Sequence, residues 1–443
     1  MIDPAATAQR LVEMVGDRAE SQATVAVGES ALTRFANSVI HQNVADATRT
    51  VSVKVALDGK VARGTDTRTD DAGLTALVER TVEAARLCPA DPEWPGLAPP
   101  AGLAGIDNYD PGTAAATPEQ RAALVAEFIA AAPGTDAAGY CDTESEVVGF
   151  ANSRGQRATG GRTRATLDGI HRVGTVAGSG HQTSQRVAEL DGAAVGALAA
   201  ARFRLASHPF DLKPGEYEVV LSPECVATIV TFLAFYGFNG KAVTEGRSFL
   251  QIGEAQFDER VEIWDDPGLP GSLGLGFDGE GTPKRRLDLV RSGVTLAALH
   301  DRKTAARVGG SSTGHSVPGL EGWGALATDI VVGGGRASEN QMIAAVDRGL
   351  YVATFDYCRV LDPKSLVVTG LTRNGTFLIE NGAITGAVTS LRFTQSFVAA
   401  LGAGRVLDLG GEVRFADSEF GPGLVRAPAL RLAAWSFTGG AEG

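Results

Sequence analysis

The chain has 443 residues, 44% hydrophobic and 21% charged, a balance that excludes collagen, a coiled coil and a disordered chain and leaves enough apolar material for a sizeable core. Its 56 glycines and 19 prolines favour many short elements over long helices. With 40 basic against 52 acidic residues the formal charge is −12, a field that repels phosphate backbones, so no nucleic-acid partner is expected.

Met1-Ile2-Asp3-Pro4 carries no basic run leading into an apolar stretch, and no apolar segment approaches the roughly 18 residues of a membrane span. A cytoplasmic protein with no membrane partner is expected. Ala8, Leu11, Val12 and Val15, at helical spacing, predict a first helix. β-rich runs follow at 23–28 and 31–40. An alternating run from Thr50 then contains Asp58-Gly59, a hairpin signal. With an amphipathic helix over 71–87, these elements predict an N-terminal domain over 1–88, helix on antiparallel sheet.

Residues 89–118, rich in proline, glycine and alanine and without hydrophobic period, read as a linker. A helix from Glu119 to about Ala132, strands near 137–140, 146–151 and 156–167, and an alanine-rich helix over 193–206 predict a middle α/β segment, 119–208. Asn152 to Gly155 supply the turn between the last two strands. Residues 209–443 read as a mostly antiparallel β domain, with strands at 217–221, 261–264, 287–299 and 350–355 and a hairpin through Asn381-Gly382. One helix stands among them. Ser222 caps it, Pro223 occupies its first position, Val226, Ile229, Val230 and Leu233 form its apolar stripe, and Gly237 ends it. The expected class is α+β.

Cys88, Cys141, Cys225 and Cys358 form no C-x-x-C pair and read as reduced, mostly buried thiols. No two of the six histidines lie three, four or five residues apart, so no helix turn offers two imidazoles to one metal ion. Gly310-Ser-Ser-Thr-Gly314 with His315 matches the G-x-S-x-G of serine hydrolases. The residues that follow cannot begin the helix such a nucleophile needs, so Ser311 or Ser312 with His315 is a remote alternative. Gly274-Leu-Gly276-Phe-Asp-Gly279 matches the dinucleotide fingerprint but runs into another turn. Asp278 and Glu280, near Arg285 and Arg286, suit either an acid/base pair or cation site, or a surface or interface turn.

Taken together, several blocks resemble the TldD/PmbA family, and within it the PmbA branch, also called TldE. They are Val219 to Glu224, Gly246 to Gly253, Phe277 to Pro283, Leu299 to Arg302 with Thr304-Ala305, Ser312 to Gly314, Arg348 to Val352 and Phe377 to Gly382. The resemblance covers nearly the whole chain. In the TldD branch a zinc-binding H-E-x-x-x-H motif lies on the helix after the strand that Val219 to Leu221 resembles. Placed by its trailing glycine, that motif falls on Thr231, Phe232 and Tyr236, which offer neither neutral zinc ligands nor a proton acceptor for a metal-bound water. That branch also uses a cysteine near its carboxyl terminus, and no cysteine follows Cys358 here. The resemblance therefore implies a chain with no catalytic residue and no metal of its own, assembling with a TldD-type subunit that holds the zinc. The pair would act on unfolded or extended peptides, with this chain completing the chamber around the partner's zinc. A scaffold or peptide-binding homodimer without peptidase activity is the alternative. Asp278, Glu280, His300 and Arg302, which sit in family-like blocks, are the candidates for an interface or substrate channel.

Overall fold

The structure, a computed structural model, describes residues 2–419 and 421–440. The amino-terminal half is built on one six-stranded antiparallel sheet. Its strands are β1 (Glu20–Ala36), β2 (Val39–Leu57), β3 (Lys60–Asp66), β4 (Asp136–Asn152), β5 (Arg157–Val173) and β6 (Val176–Ser184), in the order β3-β2-β1-β4-β5-β6. The β2–β3 turn places Asp58 and Gly59 both at positive φ, as the Asp-Gly pair predicts.

Side-chain alternation divides the faces of this sheet. Helices α1 (Pro4–Val15) and α2 (Asp71–Leu87) cover Ala23, Val25, Val51, Val53, Val55 and Ala151. The short α3 (Pro111–Ala114) leads into α4 (Pro118–Ala130). With α5 (Gly192–Leu205), α4 covers the same face farther along, at Phe35, Ala137, Cys141, Ala165 and Leu167. The intervening residues Val148, Phe150 and Ala158 turn to the opposite face and meet Phe277 of the carboxy-terminal half. Asp3 caps α1 by accepting from the amides of Ala5 and Ala6, and Thr117 with Gln120 forms a capping box on α4.

The sheet corrects two expectations. The runs at 23–28 and 31–40 are not separate strands, because Glu29 and Ser30 continue β1 and the chain reverses at Asn37-Ser38. Segments 1–88 and 119–208 are also not independent layers: β1 and β4 pair from Gln22–Asn152 to Phe35–Gly139, so strands before and after the linker form one sheet. Local pattern detects a strand but not which strand fills its second edge. The linker itself is held down, with its Ala98 carbonyl accepting from Asn152 Nδ2 (2.8 Å) and its Asn108 Nδ2 donating to the carbonyls of Pro267 (3.0 Å) and Gly274 (2.7 Å).

The carboxy-terminal half opens with β7 (Gly215–Leu221), then α6 (Pro223–Phe232), whose last turn widens into a π-turn at Leu233–Gly237. Ser222 caps α6, accepting from the amide of Cys225. A second sheet holds β8 (Ile263–Asp265), β9 (Leu287–Arg291), β10 (Val294–Thr295), β11 (Ile330–Val332), β17 (Arg414–Ser418) and β18 (Gly421–Ala427). A third holds β7, β12 (Arg348–Asp362), β13 (Val367–Glu380), β14 (Ala383–Ala387), β15 (Leu391–Ser396), β16 (Val406–Leu409) and β19 (Leu430–Gly440). Because β12 pairs with both β7 and β13, the run β12-β7-β19-β15-β13 closes on itself and leaves β14 at the rim and β16 beside β19. The β13–β14 turn has Asn381 and Gly382 at positive φ, the type I′ geometry its dipeptide predicts. The α6 helix is buried between the second and third sheets in the largest apolar core, with Trp435, Phe393 and Phe397. The fold is α+β, as expected.

Candidate functional site

Chemistry-bearing residues gather at three places: the end of α6 and two buried polar clusters along the seam between the halves.

At the end of α6 the side chains are committed to the core. Thr231 is buried and its Oγ1 donates to the Ala227 carbonyl (2.8 Å), one turn back. Phe232 stacks on Tyr236 with ring centroids 5.9 Å apart and meets Phe397 edge-on at 5.7 Å. A donated hydroxyl, a phenyl ring and a stacked phenol do not fit a zinc ion.

The first cluster surrounds the turn at Phe277–Pro283. Asp278 is buried there, its Oδ1 accepting from the amides of Glu280 and Thr282 (both 2.9 Å) and its Oδ2 from the amide of Ser316 (3.0 Å). Gly281, at φ +76°, approaches the Phe150 ring so closely that a Cβ would lie 2.2 Å from it, so only glycine fits. Glu280 Oε2 accepts from the amide of Arg302 (2.9 Å), and the Arg302 guanidinium reaches the linker carbonyls of Gly96 (3.1 Å) and Pro95 (3.2 Å). Behind the turn, Lys284 Nζ lies 3.3 Å from Asp265 Oδ1 and 3.1 Å from Asp329 Oδ2, and His315 Nε2 lies 3.1 Å from the same Asp265 oxygen. A cavity of about 310 Å³ opens between Thr24 and Ser52 of the first sheet and Phe277, Lys284 and His315 of the second half. Burial raises the Asp278 carboxyl, against three backbone hydrogen bonds that lower it. Burial, and then the neighbouring Asp278, push Glu280 from 4.5 up to about 7, so this carboxyl can exchange a proton near neutrality.

Asp278, Glu280 and Arg302 are thus brought together, and they fasten the seam. His300 is displaced from them: its Nδ1 is 3.2 Å from Thr304 Oγ1, its amide donates to Thr313 Oγ1 (2.8 Å), and its carbonyl accepts from Ser312 Oγ (3.1 Å). That last bond, with the geometry of His315, corrects the serine-hydrolase alternative. His315 is buried with Nδ1 on Thr313 Oγ1 (2.8 Å) and Nε2 beside Asp265, whereas Ser311 is exposed. Neither serine hydroxyl has an imidazole to receive its proton.

The second cluster was not anticipated. Asp168 on β5 and His181 on β6 are cross-strand partners, with His181 Nδ1 3.2 Å from Asp168 Oδ2. Asp417 arrives from β17 so that one ligand atom of each of the three lies within 4.8 Å of the others. Around them, Glu224 in the first turn of α6 accepts from Arg414 Nη2 through Oε1 (2.6 Å), and Arg202 of α5 donates to Tyr351 Oη (3.1 Å) and the Ser179 carbonyl (3.0 Å). Asp168, His181, Asp417, Glu224 and Arg202 border a cavity of about 230 Å³. Burial raises Asp417 to about 6, with Asp168 and Glu224 adding to the rise and His181 opposing it. Glu224 goes the other way, to about 2, because Arg414 and Arg202 outweigh its burial. Nothing local marks this site, since its residues come from six elements spread between 168 and 417; only Glu224 and Tyr351 sat in family-like blocks.

Comparisons with known proteins agree with this architecture. The sequence profile of the PmbA/TldA metallopeptidase C-terminal domain matches residues 214–439, just over half of the chain. The crystal structure of TldE from Thermococcus kodakarensis superposes with a TM-score of 0.89 at 18% identity, covering 98% of this chain and 100% of that one, a likeness of fold. Among curated relatives, an uncharacterised protein of Methanocaldococcus jannaschii is 36% identical over 104 residues, 23% of this chain and 25% of its own length. A protein named metalloprotease from Methanothermobacter thermautotrophicus is 28% identical over 104 residues, 23% of each chain. The chain thus spans about a quarter of the length of these curated relatives. With the profile matched across the half that carries α6 and both carboxy-terminal sheets, the chain belongs to the PmbA/TldD metallopeptidase family.

Proposed function

We propose that this chain is a non-catalytic, TldE-like subunit of a two-chain cytoplasmic zinc metallopeptidase that acts on unfolded or extended peptides. The zinc is supplied by a TldD-type partner, and this chain walls the chamber around it, excluding folded substrates and bulk water. The observation that carries the reading is the end of α6, where Thr231, Phe232 and Tyr236 are spent on helix and core contacts in a family whose name refers to metallopeptidases.

A second feature supports the need for a partner. On β2, β3 reaches only Val51–Leu57, so among the described residues no strand covers the far edge of β2 over 39–50, and every residue of that stretch is exposed. Long bare edges of this kind are usually covered in the working assembly. The net charge of −12 gives no support to a nucleic-acid partner, and no helix among the described residues is long and apolar enough to cross a membrane.

The test is co-expression with a TldD-type chain. Co-purification is expected, together with peptidase activity on an unfolded peptide that requires both chains and is lost to a chelator. Full chelator-sensitive activity of this chain alone would overturn the reading.

A further inference from the structure

We propose that Asp168, His181 and Asp417 bind one divalent transition-metal cation, Zn²⁺ by the character of the donor set, which clamps the first sheet to the second across the seam. The inference does not depend on the partner reading and concerns residues other than Thr231, Phe232 and Tyr236.

The geometry is that of a site assembled by the fold. Asp168 and His181 face each other across β5 and β6, and Asp417 reaches them from β17, which packs on β6. Ligand atoms held about 2 Å from one tetrahedral ion are roughly 3.3 Å apart. The His181–Asp168 pair already has that spacing at 3.2 Å, and all three ligand atoms lie within 4.8 Å. One imidazole and two carboxylates make a nitrogen and oxygen set that suits Zn²⁺ and, more weakly, Mn²⁺.

The surroundings add two independent observations. His181 Nε2 lies 3.0 Å from Thr183 Oγ1, whose hydroxyl lies 3.1 Å from Thr166 Oγ1. With Thr183 donating to Thr166 and accepting from Nε2–H, the ring has the orienting contact that metal-bound histidines usually show, and Nδ1, which donates to Asp168 in the metal-free chain, would give up that proton to take the ion. On the other side of the same cavity, Glu224 is only 3% exposed, yet its Oε2 makes no hydrogen bond and lies 3.6 Å from Arg202 Nη2. The Arg202 ion pair balances its charge but leaves this oxygen room for one more donor from the cavity. A cation carrying one water supplies that donor. The nearby arginines do not neutralise Asp168 and Asp417, because Arg414 is held by Glu224 and Arg202 by Tyr351 and Ser179.

The test uses the full chain, stripped with a chelator and titrated with Zn²⁺ or Mn²⁺, read by elemental analysis and thermal unfolding. About one Zn²⁺ per chain is expected, with a rise in Tm and affinity for Mn²⁺ lower by about tenfold or more. Asp417→Asn and His181→Gln should each weaken Zn²⁺ binding by more than about tenfold, and Thr183→Val by about tenfold with the stoichiometry kept. Asp168→Asn, at the partly exposed rim, serves if His181→Gln does not fold. Failure of the wild-type chain to bind Zn²⁺, or equal Zn²⁺ binding by wild type and Asp417→Asn, overturns the proposal.

Discussion

Two charge clusters lie along the same seam, one buried throughout and one open at Asp168, and they are balanced differently. Around Lys284 the ammonium lies between Asp265 and Asp329, and His315 closes the group, so nearly every charge has a partner within 3.3 Å. Around His181, two carboxylates share one imidazole while the neighbouring arginines are engaged elsewhere. Burial makes this difference consequential, because an unpaired charge costs far more inside a protein than at its surface. A balanced cluster fastens the fold; an acid-rich one invites a cation or a proton.

Three substitutions sharpen or break that contrast. The largest effect is expected for Lys284→Met, which strands Asp265 and Asp329 in the interior and should cost about 3–5 kcal/mol in urea unfolding. A loss below about 1 kcal/mol would show that the cluster is not a fastener. Next is Glu280→Gln. The folded carboxyl sits at about 7, above its ordinary 4.5, so its contribution to stability is fully present below pH 4.5 and disappears as pH rises through 7. The glutamine variant should therefore equal wild type near pH 4 and exceed it by about 2 kcal/mol at pH 8, since its amide oxygen still accepts from Arg302. The smallest effect is that of Asp417→Asn in metal-free protein. Asp417 is raised from 3.8 to about 6, so the wild type loses stability across that window, and the variant should gain about 1 kcal/mol at pH 7 and nothing at pH 3.5. Destabilisation at pH 7 would mean that the carboxylate is paired after all.

Much of the architecture could be read from local chemistry. Asp58-Gly59 and Asn381-Gly382 marked their hairpins because only such residues take positive φ at both turn positions. Ser222, Pro223 and the stripe from Val226 to Leu233 marked α6. What could not be read is pairing at long range. Nothing near Gln22 says that its strand will lie beside Asn152, and the apparent linker concealed one continuous sheet. The sites divide in the same way. Asp278 and Glu280 share one turn and Asp168 and His181 one hairpin, whereas Arg302 and Asp417 join them only through tertiary folding. His300 lay close in sequence to Arg302 but turned to Thr304 instead.

The π-turn at the end of α6 bears on the reading of Thr231, Phe232 and Tyr236. At 3.6 residues per turn, positions five apart are about 140° out of alignment, too far around the cylinder to act on one object. The amide of Phe238 reaches back to the carbonyl of Leu233 (2.9 Å), a five-residue step, and that wider winding carries Tyr236 round toward the side of the helix below it. The polypeptide thus has a coil that would bring residues spaced like 231 and 236 closer in alignment, although the side chains here are fitted to aromatic stacking. Main-chain winding and side-chain identity are thus separate features of this helix end: the wider turn sets which positions face one another, and the residues upon it set what they can hold.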